Sequence, residues 1–137
     1  MRISLLILVF LTGCTTPSSE TSLYRHLGGQ AGLDNITTEF IRNIAADPRV
    51  RPRFHNVDIS RFKSGFETYL CAVSQGPCDY EGESMQVIHA GHDYTDKEFN
   101  AIVDLLVDAM ETLDVPIGAQ NRLLAQLAPS YGDIVYQ

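Results

Sequence analysis

Apolar residues along this chain recur every three or four positions, and no stretch alternates apolar and polar residues between two turns. That spacing belongs to helices with one buried face. In "LDNITTEFIRNIAADP" (33–48), Ile36, Phe40 and Ile44 share a stripe with Ile41 beside it. Asp47-Pro48 ends this helix, because the residue before a proline is pushed out of the helical region. "DISRFKSGFETYLCAVSQGP" (58–77) carries an aromatic-rich face of Phe62, Phe66, Tyr69, Leu70 and Val73, stopped by Gly76-Pro77. Thr95-Asp96-Lys97-Glu98 fits a capping box, with Thr95 as N-cap. Behind it Phe99, Ile102, Val103, Leu106, Met110 and Leu113 keep helical spacing. The segment "GAQNRLLAQLAPSYGDIV" (118–135) supplies a last helix with Leu123, Leu124 and Leu127 inward. Gly28-Gly29, Pro48, Pro52, Pro77 and Pro116 mark the corners. The prediction is an all-α domain.

The first thirteen residues, "MRISLLILVFLTG", break that pattern. One basic residue, Arg2, precedes an almost unbroken apolar run from Ile3 to Leu11, too short to span a bilayer, for which about 20 apolar residues are needed. The run has the length of a signal-peptide core. Its ending, Leu11-Thr12-Gly13-Cys14, resembles the lipobox of bacterial lipoproteins, which implies that Cys14 is lipidated and becomes the first mature residue. An uncleaved hydrophobic anchor is the alternative, and either reading ties the protein to a membrane. Thr15 stands where an aspartate would favour inner-membrane retention, so the outer membrane facing the periplasm is expected. Residues 14–22 form a polar tether, and residues 23–137 are long enough for one domain with one core.

Composition narrows the partners. The formal charge is −7, and loss of Arg2 with the leader deepens it by one unit. An acidic chain without a basic stripe has no electrostatic reason to bind nucleic acid. With Cys14 committed to lipid, Cys71 and Cys78 remain, separated by six residues. In an oxidising compartment a disulfide is the default for such a pair, worth roughly 2–3 kcal/mol on the chain-entropy estimate. Zinc binding is the weaker alternative, since the spacing is unusual and no histidine adjoins either cysteine.

The candidate chemistry lies in "MQVIHAGHDY" (85–94), where His89 is preceded by Val87-Ile88 and followed by Ala90-Gly91. On the residues alone three readings stand: a core histidine satisfied by a carbonyl, half of a metal pair with His92 three positions on, or an axial haem ligand. A haem reading demands a neutral imidazole on one side of an apolar slot and bulky residues on the other.

From Leu23 to Val135 the chain resembles group I truncated haemoglobins, short globins whose helices form a two-over-two sandwich around haem. The resemblance is carried by "SLYRHLGG", "EFIRNIAADPRVRPRF", "ISRFKSGFETYL", "GPCDYEGESMQVIHAGHDYTDKEF" with its Tyr80-x-Gly82, and "VPIGAQNRLLAQLAP". It implies that His89 is the proximal iron ligand and that Phe54 packs on the porphyrin. It also implies that Phe62 and Phe66 line the distal side, that Met85 and Phe99 contact the cofactor, and that Lys63 and His92 are candidates for the haem propionates. His26 and His55 are read as surface or loop residues. No Cys-x-x-Cys-His occurs, so haem b held without covalent attachment is expected.

The chain departs from the family on the distal side. Many relatives hold dioxygen with a tyrosine on the second helix and a glutamine on the distal helix. Here those positions are Ile41 and Phe66, and the gate position is Phe62. A hydrogen bond to bound dioxygen in a dry pocket stabilises it more than it stabilises CO, so fast dioxygen release and a weak preference over CO are expected. Thr37, four residues before Ile41, and Tyr69 are the substitute donors in reach. The implied function is reversible binding of dioxygen, nitric oxide or CO. The alternative is nitric-oxide dioxygenation or a peroxidase-like reaction, which needs a separate electron donor because the chain has no flavin or nicotinamide motif. A third reading is a lipoprotein that kept the fold and lost the cofactor.

Overall fold

The structure is a computed structural model that describes residues 22–137. The expected leader (1–13) and all but the last residue of the expected tether (14–22) lie outside the described residues, as does Cys14, the expected lipidation site. Seven α-helices are described: α1 Leu23–His26, α2 Gly29–Ala46, α3 Ile59–Val73, α4 Met85–His89, α5 Asp96–Thr112, α6 Ile117–Leu127 and α7 Tyr131–Ile134. A 3₁₀ turn, Arg51–Phe54, links α2 to α3. The pair α2–α3 lies across the pair α5–α6: α2 packs on α5, α3 on α6, and α2 and α3 on each other. This is the expected two-over-two sandwich. No described helix is long and apolar enough to cross a membrane.

Helix α2 begins one turn before the stripe that revealed it. Gly28 is left-handed at φ +91°, and the helix starts at Gly29. The tight corner also requires Gly32, where a Cβ would stand 1.9 Å from the Leu27 carbonyl oxygen. Leu33, Ile36, Thr37, Phe40 and Ile44 are the buried positions, so a threonine completes an otherwise apolar stripe, and Asp47 turns the chain into extended backbone before Pro48. Asp58 caps α3 by accepting from the Arg61 amide at 3.0 Å. That helix stops at Val73, short of Gly76-Pro77, with Gln75 left-handed at φ +65°. Cys71 in the last turn of α3 and Cys78 just beyond Pro77 come together with their Cα atoms 5.8 Å apart and their sulfurs in contact.

The capping box of α5 is present: Thr95 accepts from the Glu98 amide while the Glu98 carboxylate accepts from the Thr95 amide at 2.9 Å. Its innermost face differs from the predicted one. Ala101, Leu105, Leu106, Ala109 and Met110 are buried, whereas Phe99, Ile102 and Val103 are half-buried and Leu113 is exposed. Two alanines let α5 approach α2 closely, close enough for the Asn43 amide to donate to the Leu105 carbonyl at 3.2 Å. On α6, Leu123 is fully buried while Leu124 and Leu127 pack at the margin. Gln120 is buried as well, donating to the Val115 carbonyl at 2.9 Å.

Candidate metal centre around His89

Ser84 caps α4, accepting from the Val87 amide at 3.3 Å, and the helix lasts five residues before the chain breaks away at Ala90. That single turn is enough to place His89 Nδ1 2.7 Å from the Met85 carbonyl. A carbonyl only accepts, so Nδ1 carries the proton and Nε2 presents a lone pair. The ring is half-buried, and burial pushes its pKa below the ordinary histidine value; the bond to Met85 works against this and nearby His92 works with it. A neutral, tautomer-fixed imidazole is what a metal ligand requires. Among the described residues no three His, Cys, Asp or Glu side chains converge on one point. One imidazole therefore suits a metal that brings its own equatorial ligands.

His92 stands beyond the end of α4, so the expected helical relation with His89 does not hold. The break is enforced at Gly91 (φ +77°) and Asp93 (φ +49°). Nothing crowds a Cβ at Gly91, so the glycine answers to backbone conformation rather than to close packing. The His92 ring stacks on Tyr94 at 5.7 Å, and the same tyrosine meets the His89 ring edge-on at 5.6 Å. Tyr94 is half-buried, which raises its pKa, with the Arg53 guanidinium 5.0 Å from its ring centre.

Arg53 and Glu98 tie the 3₁₀ turn to α5 and to this corner. Arg53 Nε and Nη2 reach the Glu98 carboxylate at 2.6 and 3.0 Å, and Nη1 donates to the His92 carbonyl at 3.0 Å. The guanidinium holds the Glu98 carboxyl down at about 2, helped by the Thr95 amide and hydroxyl. From the far end of the chain, the Gln137 carbonyl accepts from the Gly91 and Asp93 amides at 3.0 and 3.2 Å, and the Tyr136 amide donates to the Tyr94 carbonyl at 2.9 Å. The Tyr131 and Tyr136 hydroxyls both donate to Asp96 and lower its pKa. The segment carrying His89 is thus braced by the C-terminal residues and by the turn after α2. Sequence reasoning missed Arg53, Tyr94, Glu98 in this second role, and Gln137. Their partners lie dozens of positions away, and only the aromatic at Tyr94 gave a local hint.

The aromatic face predicted on α3 is present. Phe62 and Phe66 stack at 5.7 Å, Phe54 meets Phe62 edge-on at 5.3 Å, and Phe40 of α2 lies 5.2 Å from Phe66. Phe54, Phe62 and Phe66 are only half-buried, leaving a large aromatic surface for a flat apolar group. Ile41 and Phe54 also line an apolar cleft of about 400 Å³ with Ile44, Pro52 and Ile59. That cleft includes no residue of α4, so it adjoins the aromatic face and is separate from the face of His89. Phe99 is half-buried at the start of α5 and meets Tyr131 edge-on at 4.9 Å. Met85 is half-buried, and its carbonyl is the partner of His89. Lys63 holds Asp34 and Glu67, which raise its pKa, so a propionate would have to compete with two carboxylates. His26 and His55 are exposed, bonded to Ser22 and Asn56.

Residues 22–135 match the family described as bacterial-like globin. A group 1 truncated haemoglobin of Nostoc sp. (strain MUN 8820) is 30% identical over 115 residues, covering 84% of this chain and 98% of the relative. The chain belongs to the group 1 truncated haemoglobins. Membership in a globin family implies haem, and an imidazole with a free Nε2 together with the half-buried aromatic face of Phe54, Phe62 and Phe66 is a set of residues that fits one. The truncated haemoglobin of Tetrahymena pyriformis in its Fe(III) form superposes with a TM-score of 0.82 at 24% identity, over 85% of this chain and all of that one, which places the fold. The 2/2 haemoglobin of Synechococcus sp. PCC 7002, solved in the cyanomet state with covalently attached haem, gives a TM-score of 0.79 at 26% identity, over 84% of this chain and 98% of that one.

Proposed function

We propose that this truncated haemoglobin holds haem b without a covalent link and binds dioxygen or another diatomic gas, nitric oxide or CO, reversibly. The observation that carries this reading is the 2.7 Å bond from His89 Nδ1 to the Met85 carbonyl, which leaves Nε2 as the ligand atom. Haem bound there would supply an iron able to take up a diatomic gas. Everything else is done by the chain. His89 would hold the haem from α4, Phe54, Phe62 and Phe66 would offer it an apolar aromatic face that excludes water, and Arg53–Glu98 with the C-terminal residues keeps the His89 corner in place. Phe40, Ile41, Phe62 and Phe66 carry no acidic or basic group to pull on a peroxide, which favours binding over turnover. A reductant outside this chain keeps the iron ferrous.

The test is spectroscopic. Haem-loaded protein, reduced and mixed with CO or air, should give distinct ferrous, CO and oxy spectra and return to the ferrous form when the gas is removed. Irreversible oxidation on every exposure to air, with no oxy spectrum even in stopped flow, contradicts reversible dioxygen binding.

The surroundings of the domain follow from the sequence. The lipobox-like Leu11–Cys14 supports export, lipidation at Cys14 and attachment to a membrane, the outer membrane facing the periplasm being the reading favoured by Thr15. Residues 14–22 then form a tether for the globin domain at 23–137. Export also supports oxidation of Cys71 and Cys78, whose Cα separation of 5.8 Å suits a disulfide.

A further inference from the structure

We propose that the apolar cleft beside the turn after α2 binds a free fatty-acid anion, with Arg51 taking the carboxylate. Such a site goes beyond gas binding and does not depend on it.

The cleft lies between α2, the 3₁₀ turn and the start of α3, and encloses about 400 Å³. Small-molecule pockets of this size combine mostly apolar walls with a few polar groups that orient the ligand. Ile41, Ile44, Ala45, Pro52, Phe54 and Ile59 supply the walls. Several of them are open to solvent: Ile59 leaves 42% of its surface in water, and Val57, two residues earlier, leaves 38%. An acyl chain laid along these walls would remove that apolar surface from water, which favours binding.

Arg51 and His55 complete the lining, and both are exposed. No acidic side chain is among the lining residues, although the chain as a whole is acidic, with a formal charge of −7. Arg51 has no carboxylate partner among the described residues. The cations around it do: Arg42 holds Glu39, Arg49 holds Asp47, Arg53 holds Glu98, and Lys63 holds Asp34 and Glu67. Asp58 is committed to capping α3 through the Arg61 amide, and His55 Nδ1 to the Asn56 side-chain oxygen at 3.0 Å. One uncommitted guanidinium at an apolar cleft selects a ligand with an apolar body and an anionic end, and its planar fork suits a carboxylate. A bilayer surface would call for a protruding apolar face ringed by several cations. Here the apolar walls are recessed and a single unpaired arginine stands at them.

The experiment titrates haem-loaded protein calorimetrically with octanoate, decanoate and dodecanoate below their micelle concentrations, and with dodecanol. One-to-one binding is expected, tightening about three- to fourfold for each added CH₂, the transfer worth of a buried methylene. Dodecanol on wild type, and dodecanoate on Arg51→Gln, should each bind about three- to fivefold more weakly, the scale of one exposed ion pair. Ala45→Phe, which fills the cleft from its wall, should abolish dodecanoate binding and leave haem uptake unchanged. No one-to-one binding by wild type, or equal binding by Ala45→Phe, overturns the proposal. Loss of haem uptake in Ala45→Phe, or displacement of dodecanoate by haem, overturns it as well, because the cleft then belongs to the haem site. Association with phosphatidylglycerol vesicles without uptake of dodecanoate overturns it in favour of a membrane surface. A chain that takes up no haem fails the gas-binding reading instead, and the same titrations on it still decide this one.

Discussion

His89 is held by one bond and freed by another that is not made. The Met85 carbonyl takes its Nδ1 proton, so the ring cannot rotate or change tautomer without losing a hydrogen bond in a half-buried place. The histidine and its small neighbours could be read from ten letters of sequence, and its family context from the ordered stretches between Leu23 and Val135. Its tautomer could not, because that depends on α4 existing for five residues and stopping there. His92 shows the reverse failure: spacing of three predicts a shared helix face, and the left-handed Gly91 and Asp93 cancel it. Thr37 and Ile41 were legible as neighbours on one stripe, but that the buried Thr37 hydroxyl has no partner among the described residues is a property of the packed interior. No count of apolar positions reveals it.

Helix α5 begins with a device that serves two purposes. Glu98 closes the capping box on Thr95 and also receives Arg53, fastening the turn after α2 to the corner that follows His89. The box was visible in the sequence because both partners lie within four residues, whereas the Arg53 pairing spans 45 positions and left no trace. Because the Glu98 carboxyl lies at about 2 in the folded chain against 4.5 ordinarily, its contribution is complete above 4.5 and is lost as pH falls towards 2. Chemical denaturation at pH 7 should show Glu98→Gln destabilised by about 1 kcal/mol, typical of a lost cap with a partly exposed ion pair. The gap should close as both proteins are taken from pH 4.5 to pH 2; a gap that is constant over that range contradicts the pairing. The alanine face of α5 carries the same lesson about legibility. Large residues announced the helix, but Ala101 and Ala109 decide which side meets α2, because closeness of approach is set by what is small.

At the scale of the whole molecule, the proposed layout sets the globin domain behind a tether. A polar tether and a cysteine that resembles a lipidation site would hold an acidic haem protein near a bilayer, where apolar gases are concentrated by the lipid. Intact mass of protein extracted from membranes tests this layout in a single measurement. The expected mass is that of a chain beginning at Cys14, increased by lipid and reduced by two hydrogen atoms for the bridge between Cys71 and Cys78. A chain that begins at Met1 and carries two free thiols in its globin domain contradicts both parts. The fold was readable almost throughout from helical periodicity and corner residues. What escaped were the long-range braces, above all the C-terminal residues Tyr136 and Gln137 against Tyr94 and Gly91, which join the two ends of the functional half by backbone bonds that any side chain can make.

Haem titration of the haem-free domain, followed through the Soret band, addresses the account most directly when wild type and His89→Ala are compared. The wild type should saturate at one equivalent with the spectrum of a histidine-ligated haem, and His89→Ala should lose that spectrum and regain it when imidazole is added. An identical spectrum and affinity in the two proteins, or no Soret band in either, would show that His89 does not hold the iron.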